Sequence, residues 1–271
     1  MSLRSLLGLG HRGGSIEEVP TRVGEDAFTT VARFYDELML TVPYERWVDY
    51  VERILGRWYV RPRDVLDLCC GTGAVGGEMA RRGYDVIGAD LSEPMVQGCY
   101  RRDPPLPAVV MDATRSALRG GQFDLVVCLY DSLNYIIEPE GLQRALAGIA
   151  EVLRPGGVAI FDLNTGRALR IGLFTQSNTM TREPLQYVWR STWDEERRLC
   201  RVDMEFTWHG SGGVEQFRET HYERAYEDDE IRAMLRKGGL RLLATYDAYC
   251  FRAPNRLSDR VYYVACRDRP K

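Results

Sequence analysis

Lysine is nearly absent: only Lys237 and Lys271 occur, and the positive charge is carried by arginine. Acidic residues outnumber basic ones, 39 to 36, for a net charge of −3, which argues against a dedicated polyanion binder. Histidine occurs at three positions, 11, 209 and 221, and no cysteine pair has C-x-x-C spacing, so neither a structural zinc nor a catalytic metal centre is expected. No apolar run approaches a membrane span. There is no Pro- or Ser-rich linker and no internal repeat. The seven cysteines are an odd number, and most sit in apolar, strand-like runs; this suits buried thiols in a reducing compartment better than a disulfide framework. Cytoplasmic residence follows as the expectation. The first residues make a poor signal peptide, and 1–22 is expected to be a loose tail.

What is present is an ordinary globular composition, 45% hydrophobic and 28% charged over 271 residues, enough for one sizeable α/β domain. Phe28, Val31, Phe34, Tyr35 and Leu38 share one helical face, and Trp47, Tyr50, Val51, Ile54, Leu55 and Trp58 share another. Strands and helices then alternate. Strands are expected at 65–68, 85–89, 108–111, 123–130 and 158–163, with helices at 75–82, 92–101 and 139–153 between them. Repeated βα units imply a parallel sheet covered on both faces. Residues 184–226 change texture to three antiparallel strands, an insertion rather than a separate domain. A helix from about 227 to 237 and strands at 240–249 and 260–267 close the chain.

The first strand of this series runs into Asp67-Leu68-Cys69-Cys70-Gly71-Thr72-Gly73-Ala74-Val75-Gly76. Gly71-x-Gly73-x-x-Gly76 matches a dinucleotide fingerprint, and Asp90 stands 19 residues beyond Gly71 where a ribose-binding acid belongs. A nucleotide-cofactor oxidoreductase using NAD is therefore one reading. Charge favours another. Asp67 lies four residues before Gly71, so a pyrophosphate on that turn would face a carboxylate, whereas an ammonium would be welcomed. S-adenosylmethionine (SAM) carries an α-ammonium, a sulfonium and an adenosine.

The segments VLDLCCGTG at 65–73, GADLSEPMV at 88–96, MDATR at 111–115 and FDLVVCLYDSLNY at 123–135, in this order and spacing, resemble class I SAM-dependent methyltransferases. The resemblance covers about 28–165 well. It implies a Rossmann-like, seven-stranded α/β sheet, mostly parallel with the last strand antiparallel, with N-terminal helices and an antiparallel β insertion, in a single domain over 23–271. It places Asp67, Gly71 and Gly73 at the methionyl end of SAM, Asp90, Leu91 and Met95 at the ribose and adenine, and Asp112 and Ala113 at the adenine edge. Tyr130 and Asp131 would face the sulfonium and acceptor. Tyr35 and Trp47 match lid aromatics of relatives acting on small molecules. The run Tyr130 to Asn134 resembles small-molecule methyltransferases, which marks Asn134 beside Asp131 as an acceptor contact. Residues 220–226 resemble the sugar and glycine N-methyltransferase-like branches. There His221 is a candidate base, and Tyr222 and Arg224 are candidates to orient the acceptor. Asp103-Pro104-Pro105-Leu106 precedes the third strand and lacks the aromatic of DNA amino-methyltransferases, so it reads as a loop.

Transfer from a sulfonium expels a neutral thioether and needs no acid, and a neutral amine needs no strong base. The expectation is a methyltransferase for a small-molecule acceptor, an amine first, with no nucleic-acid or membrane partner. A lipid or quinone acceptor, a homodimer through the edges of the insertion, and a non-catalytic SAM-binding subunit stay open.

Overall fold

The computed structural model describes residues 12–13, 16, 27–180 and 183–269. In chain order the strands are β1 Arg12–Gly13, β2 Asp64–Leu68, β3 Asp85–Asp90, β4 Ala108–Val110, β5 Phe123–Cys128, β6 Leu153–Asn164, β7 Gln176–Ser177, β8 Leu185–Asp194, β9 Leu199–Gly210, β10 Gly213–Arg224, β11 Leu240–Asp247 and β12 Arg260–Arg267. The helices are α1 Tyr35–Leu38, α2 Tyr44–Arg57, α3 Ala74–Arg81, α4 Glu93–Cys99, α5 Pro139–Val152, α6 Gly166–Arg170 and α7 Asp228–Lys237.

Seven strands form the main sheet in the order β11-β12-β6-β5-β2-β3-β4. Strands β2 to β6 are mutually parallel, and β12 runs antiparallel to both β6 and β11. The expected Rossmann-like sheet is what forms. Its strands carry apolar residues on both faces, as a two-sided parallel sheet requires. Leu142, Leu146 and Ile149 of α5 and Ile231 and Leu235 of α7 pack on one face. Val48, Val51 and Ile54 of α2, Met79 of α3 and Val96 of α4 pack on the other.

The insertion is a second sheet in the order β1-β8-β9-β10, with β7 also on β8. A third core joins it to the N-terminal segment: Val31 and Phe34 pack with Trp189, Val202, Met204 and Phe206. Of the expected loose tail, most of 1–22 lies outside the described residues; Arg12 and Gly13 pair with β8, and Ile16 is buried beside Ile137, Leu199 and Tyr222.

The helix expected from Phe28 begins late. Only Val31–Phe34, as a 3-10 turn, and α1 are helical. The cause is a competing acceptor. The amides of Phe28, Thr30 and Val31 all donate to the carboxylate of Glu219 on β10, at 3.0, 2.7 and 2.8 Å. One long-range carboxylate thus satisfies the donors that a helix start leaves orphaned.

Candidate active site

The strand-to-helix turn after β2 is shaped by its backbone. Gly71 and Gly73 have φ of +55° and +78°, a region that glycine enters without strain. A Cβ on Gly73 would stand 2.7 Å from Leu106 and 2.9 Å from the Cys99 sulfur, so α4 and the loop before β4 close over this turn only because it is bare. Asp67, at the end of β2, accepts the Gly76 amide at 2.8 Å and is buried. Burial pushes its pKa up to about 7, the Gly76 hydrogen bond opposes this, and the charge of Asp90 adds to it. Asp90, at the end of the neighbouring strand, accepts the Gly71 amide at 2.8 Å and the Ser92 amide at 2.9 Å. Burial raises its pKa as well. The Asp90 carboxylate therefore ties the glycine turn to the start of α4, and Ser92 caps that helix by accepting the Met95 amide.

These residues face a cavity of about 730 Å³, within the range of small-molecule sites. Of the residues expected at the cofactor, Tyr35, Trp47, Asp67, Gly71, Asp90, Leu91, Met95, Asp112, Ala113 and Tyr130 all line it. Gly73 does not; its role is to let the turn form. Asp112 accepts the Thr114 amide at 2.7 Å and so holds Ala113 in a short 3-10 turn. Trp47 packs on Tyr130 at 4.8 Å between ring centroids, which puts α2 against the turn after β5. Among the described residues no His/Cys/Asp/Glu cluster suited to a metal is found. No helix among them is long and apolar enough to cross a membrane.

The donor set tests the cofactor. Two carboxylates, Asp67 and Asp90, border the glycine turn, and among the described residues neither has a cationic partner. That is a poor place for a pyrophosphate and a good one for an ammonium and a pair of hydroxyls.

The acceptor end departs from expectation. Asp131 and His221 line the cavity, but Asn134, Tyr222 and Arg224 do not. Asn134 is fully buried as a pin: its side chain donates to the carbonyls of Asn164 and Arg224 at 3.2 and 2.8 Å and accepts the Asn164 amide at 2.9 Å. Strand alternation explains the other two. Glu219, His221 and Glu223 of β10 point inward, so Tyr222 and Arg224 point away. Tyr222 is buried with Ile16, Ile137 and Leu199, and Arg224 lies over the Tyr226 ring. His221 faces the cavity but is engaged at both ring nitrogens. Its Nε2 lies 2.8 Å from Glu219 and its Nδ1 3.1 Å from the Tyr135 hydroxyl, with the Phe28 ring 4.5 Å away. It fastens the N-terminal segment to the insertion.

Sequence reasoning missed Glu223 and Arg260, which line the cavity beside Asp131. Arg260 bridges Asp131 at 2.7 Å and Asp162 at 3.0 Å. Burial raises the pKa of Asp131, against the pull of Arg260. Trp189, Tyr187, Met204 and Val202 of the insertion form the apolar wall opposite.

The fold and this cradle define a class of enzyme, and comparison with known proteins agrees. A methyltransferase-domain family matches residues 65–157. Bacillus subtilis YqeM, a methyltransferase by name, is 30% identical over 242 residues, 86% of this chain and 94% of its own. The chain belongs to the class I SAM-dependent methyltransferases. A SAM-dependent methyltransferase from Clostridium acetobutylicum superposes with a TM-score of 0.78 at 26% identity, over 88% of this chain and 98% of that one. A Streptomyces venezuelae enzyme, dTDP-3-amino-3,4,6-trideoxy-alpha-D-glucopyranose N,N-dimethyltransferase, is 27% identical, over 66% of this chain and 75% of its own. The oxidoreductase alternative falls with this membership.

Proposed function

We propose that this enzyme methylates the nitrogen of a small-molecule amine within the chamber under its β insertion. The observation that carries the reading is the continuity of one cavity from the glycine turn to the wall formed by Tyr187, Trp189 and Met204. Such a chamber suits a small acceptor better than a macromolecule. The Streptomyces relative, named as an amino-sugar N,N-dimethyltransferase, supports nitrogen as the target.

In this reading Asp67 takes the α-ammonium of SAM, Asp90 the ribose hydroxyls, and Asp112 with Ala113 the adenine edge. SAM supplies the electrophilic methyl group. Asp131 and Tyr130, after β5, lie at the transfer end. Trp47, Tyr35 and Phe28 shield the chamber from water and hold the amine in line, which supplies most of the rate for a displacement with a neutral leaving group.

The test is incubation with methyl-labelled SAM and a panel of amino sugars and simple amines, beside matched alcohols and quinols. The expected result is label on an amine nitrogen. Label on a quinol ring and on no amine would replace this reading with a lipid-like acceptor, which the aromatic wall would also accommodate.

A further inference from the structure

The transfer end of the cavity has an unbalanced charge. Three buried carboxyl groups, Asp131, Asp162 and Glu223, surround one guanidinium, that of Arg260. Arg260 is committed to Asp131 and Asp162. Glu223 is left without a cation of its own among the described residues: Asn164 donates to its Oε2 at 3.1 Å, and its carboxyl lies within hydrogen-bond reach of the Asp131 carboxyl, a contact that needs a proton on one of the two. Among the described residues no N–H or O–H donor reaches its buried Oε1 and no acceptor reaches the buried Nε1 of Trp189, and both side chains belong to the cavity wall. A buried, half-satisfied carboxyl beside another carboxylate is costly unless it keeps its proton or gains a cation.

We propose that Glu223, backed by Asp131, senses positive charge at the transfer end, ionising when a sulfonium arrives and regaining its proton when no cation remains there, and so sets the preference of the site for SAM over its demethylated product.

The chemistry balances. A proton leaves Glu223 for solvent as SAM binds. The nitrogen lone pair then forms the N–CH3 bond while the S–CH3 bonding pair returns to sulfur. The positive charge passes from sulfur to nitrogen and stays in the chamber until the methylated ammonium leaves. Glu223 then takes up a proton, leaving S-adenosylhomocysteine (SAH) with no charge partner at this end. Burial first, and the Asp131 charge second, hold the Glu223 pKa well above the carboxylate range. The groups facing Glu223 come from every side. Asp131 and Tyr135 belong to the turn after β5, Asp162 and Asn164 to β6, and Arg260 to β12. Cys200 is its partner on β9, and His221 precedes it by one inward position. Burial raises the pKa of Cys200 and Tyr135, so neither becomes an anion that would compete for the cation.

The inference rests on the placement above, with the methionyl tail at Asp67 and sulfur toward Asp131. The experiment is calorimetric titration of the whole protein with SAM and with SAH near pH 7, in two buffers of different ionisation enthalpy. Both ligands carry the same ammonium to Asp67, so the difference between them isolates the sulfonium. Wild type is expected to release about one proton more with SAM than with SAH. Glu223→Gln should abolish that difference and lower the SAM:SAH affinity ratio by roughly tenfold. Equal proton release in wild type, or a difference that survives in Glu223→Gln, would overturn the inference. SAH binding by the variant checks that it folds. Should it not fold, the wild-type affinity ratio decides: it should climb by up to tenfold per pH unit, and a flat ratio overturns the inference. Failure of wild type to bind SAH at all would overturn the cofactor placement itself.

Discussion

The glycine cradle and the chamber beneath the insertion share one cavity but are built in different ways. In the cradle, Asp67, Gly71, Gly73 and Gly76 are neighbours in the chain, and one strand–turn–helix unit places them all. Asp90 joins them through the adjacent parallel strand, whose register with β2 is local and regular. In the chamber, Asp131, Glu223 and Arg260 come from the turn after β5, from β10 and from β12. Distant pairings assemble them, and a shift of one residue in β10 would exchange Glu223 for Tyr222 or Arg224 at the cavity. A local site tolerates remote change; an assembled one depends on register and burial.

The largest effect that would separate the two is at Asp67. Asp67→Ala should weaken SAM and SAH alike, by about 2–5 kcal/mol, roughly thirtyfold to several thousandfold, with the circular dichroism of the fold unchanged. Near-native affinity by calorimetry would break the account of the cradle. Asp90→Ala should also weaken both ligands, by about 1.5–3 kcal/mol. A loss confined to SAM would show that Asp90 does not hold the ribose.

Tyr222 sharpens the contrast from the other side. Tyr222→Ala should cost about 3 kcal/mol in denaturant unfolding by emptying the pocket against Ile137 and Leu199, while the acceptor KM of the folded enzyme stays the same. A raised KM at unchanged stability would restore Tyr222 to the site. The pH dependence is a smaller effect. Burial raises the Asp67 pKa to about 7, and the ionised form is the one that binds an ammonium. SAH affinity should therefore rise by up to tenfold per pH unit below about 7 and level off above it. Asp67→Asn should flatten the curve. Smallest of all is Arg224→Lys, which trades a cation–π contact with Tyr226 for a weaker one. It should change stability by less than about 1 kcal/mol and turnover not at all.

The same contrast explains how much could be read in advance. The βα alternation, the sheet and the cradle acids were legible because their signals are short-range: apolar runs, positive-φ glycines, an acid at each strand end. The inward face of β10 was not. Polar and aromatic residues occupy both of its faces, so alternation alone could not show that Glu219, His221 and Glu223 turn inward. Arg260 opens a strand that reads as apolar core, and only its pairing with Asn164 at the end of β6 brings it beside Asp131 and Asp162. The late helix start near Phe28 was hidden for the same reason, since its cap, Glu219, lies 191 residues away.

The most direct test is a crystal structure of the protein with SAH. The account predicts the α-amino group on Asp67, the ribose hydroxyls on Asp90, the adenine edge at Asp112 and Ala113, and the thioether sulfur turned toward Asp131 and Glu223. An SAH molecule whose ribose avoids Asp90, or whose sulfur faces away from Asp131, would contradict it.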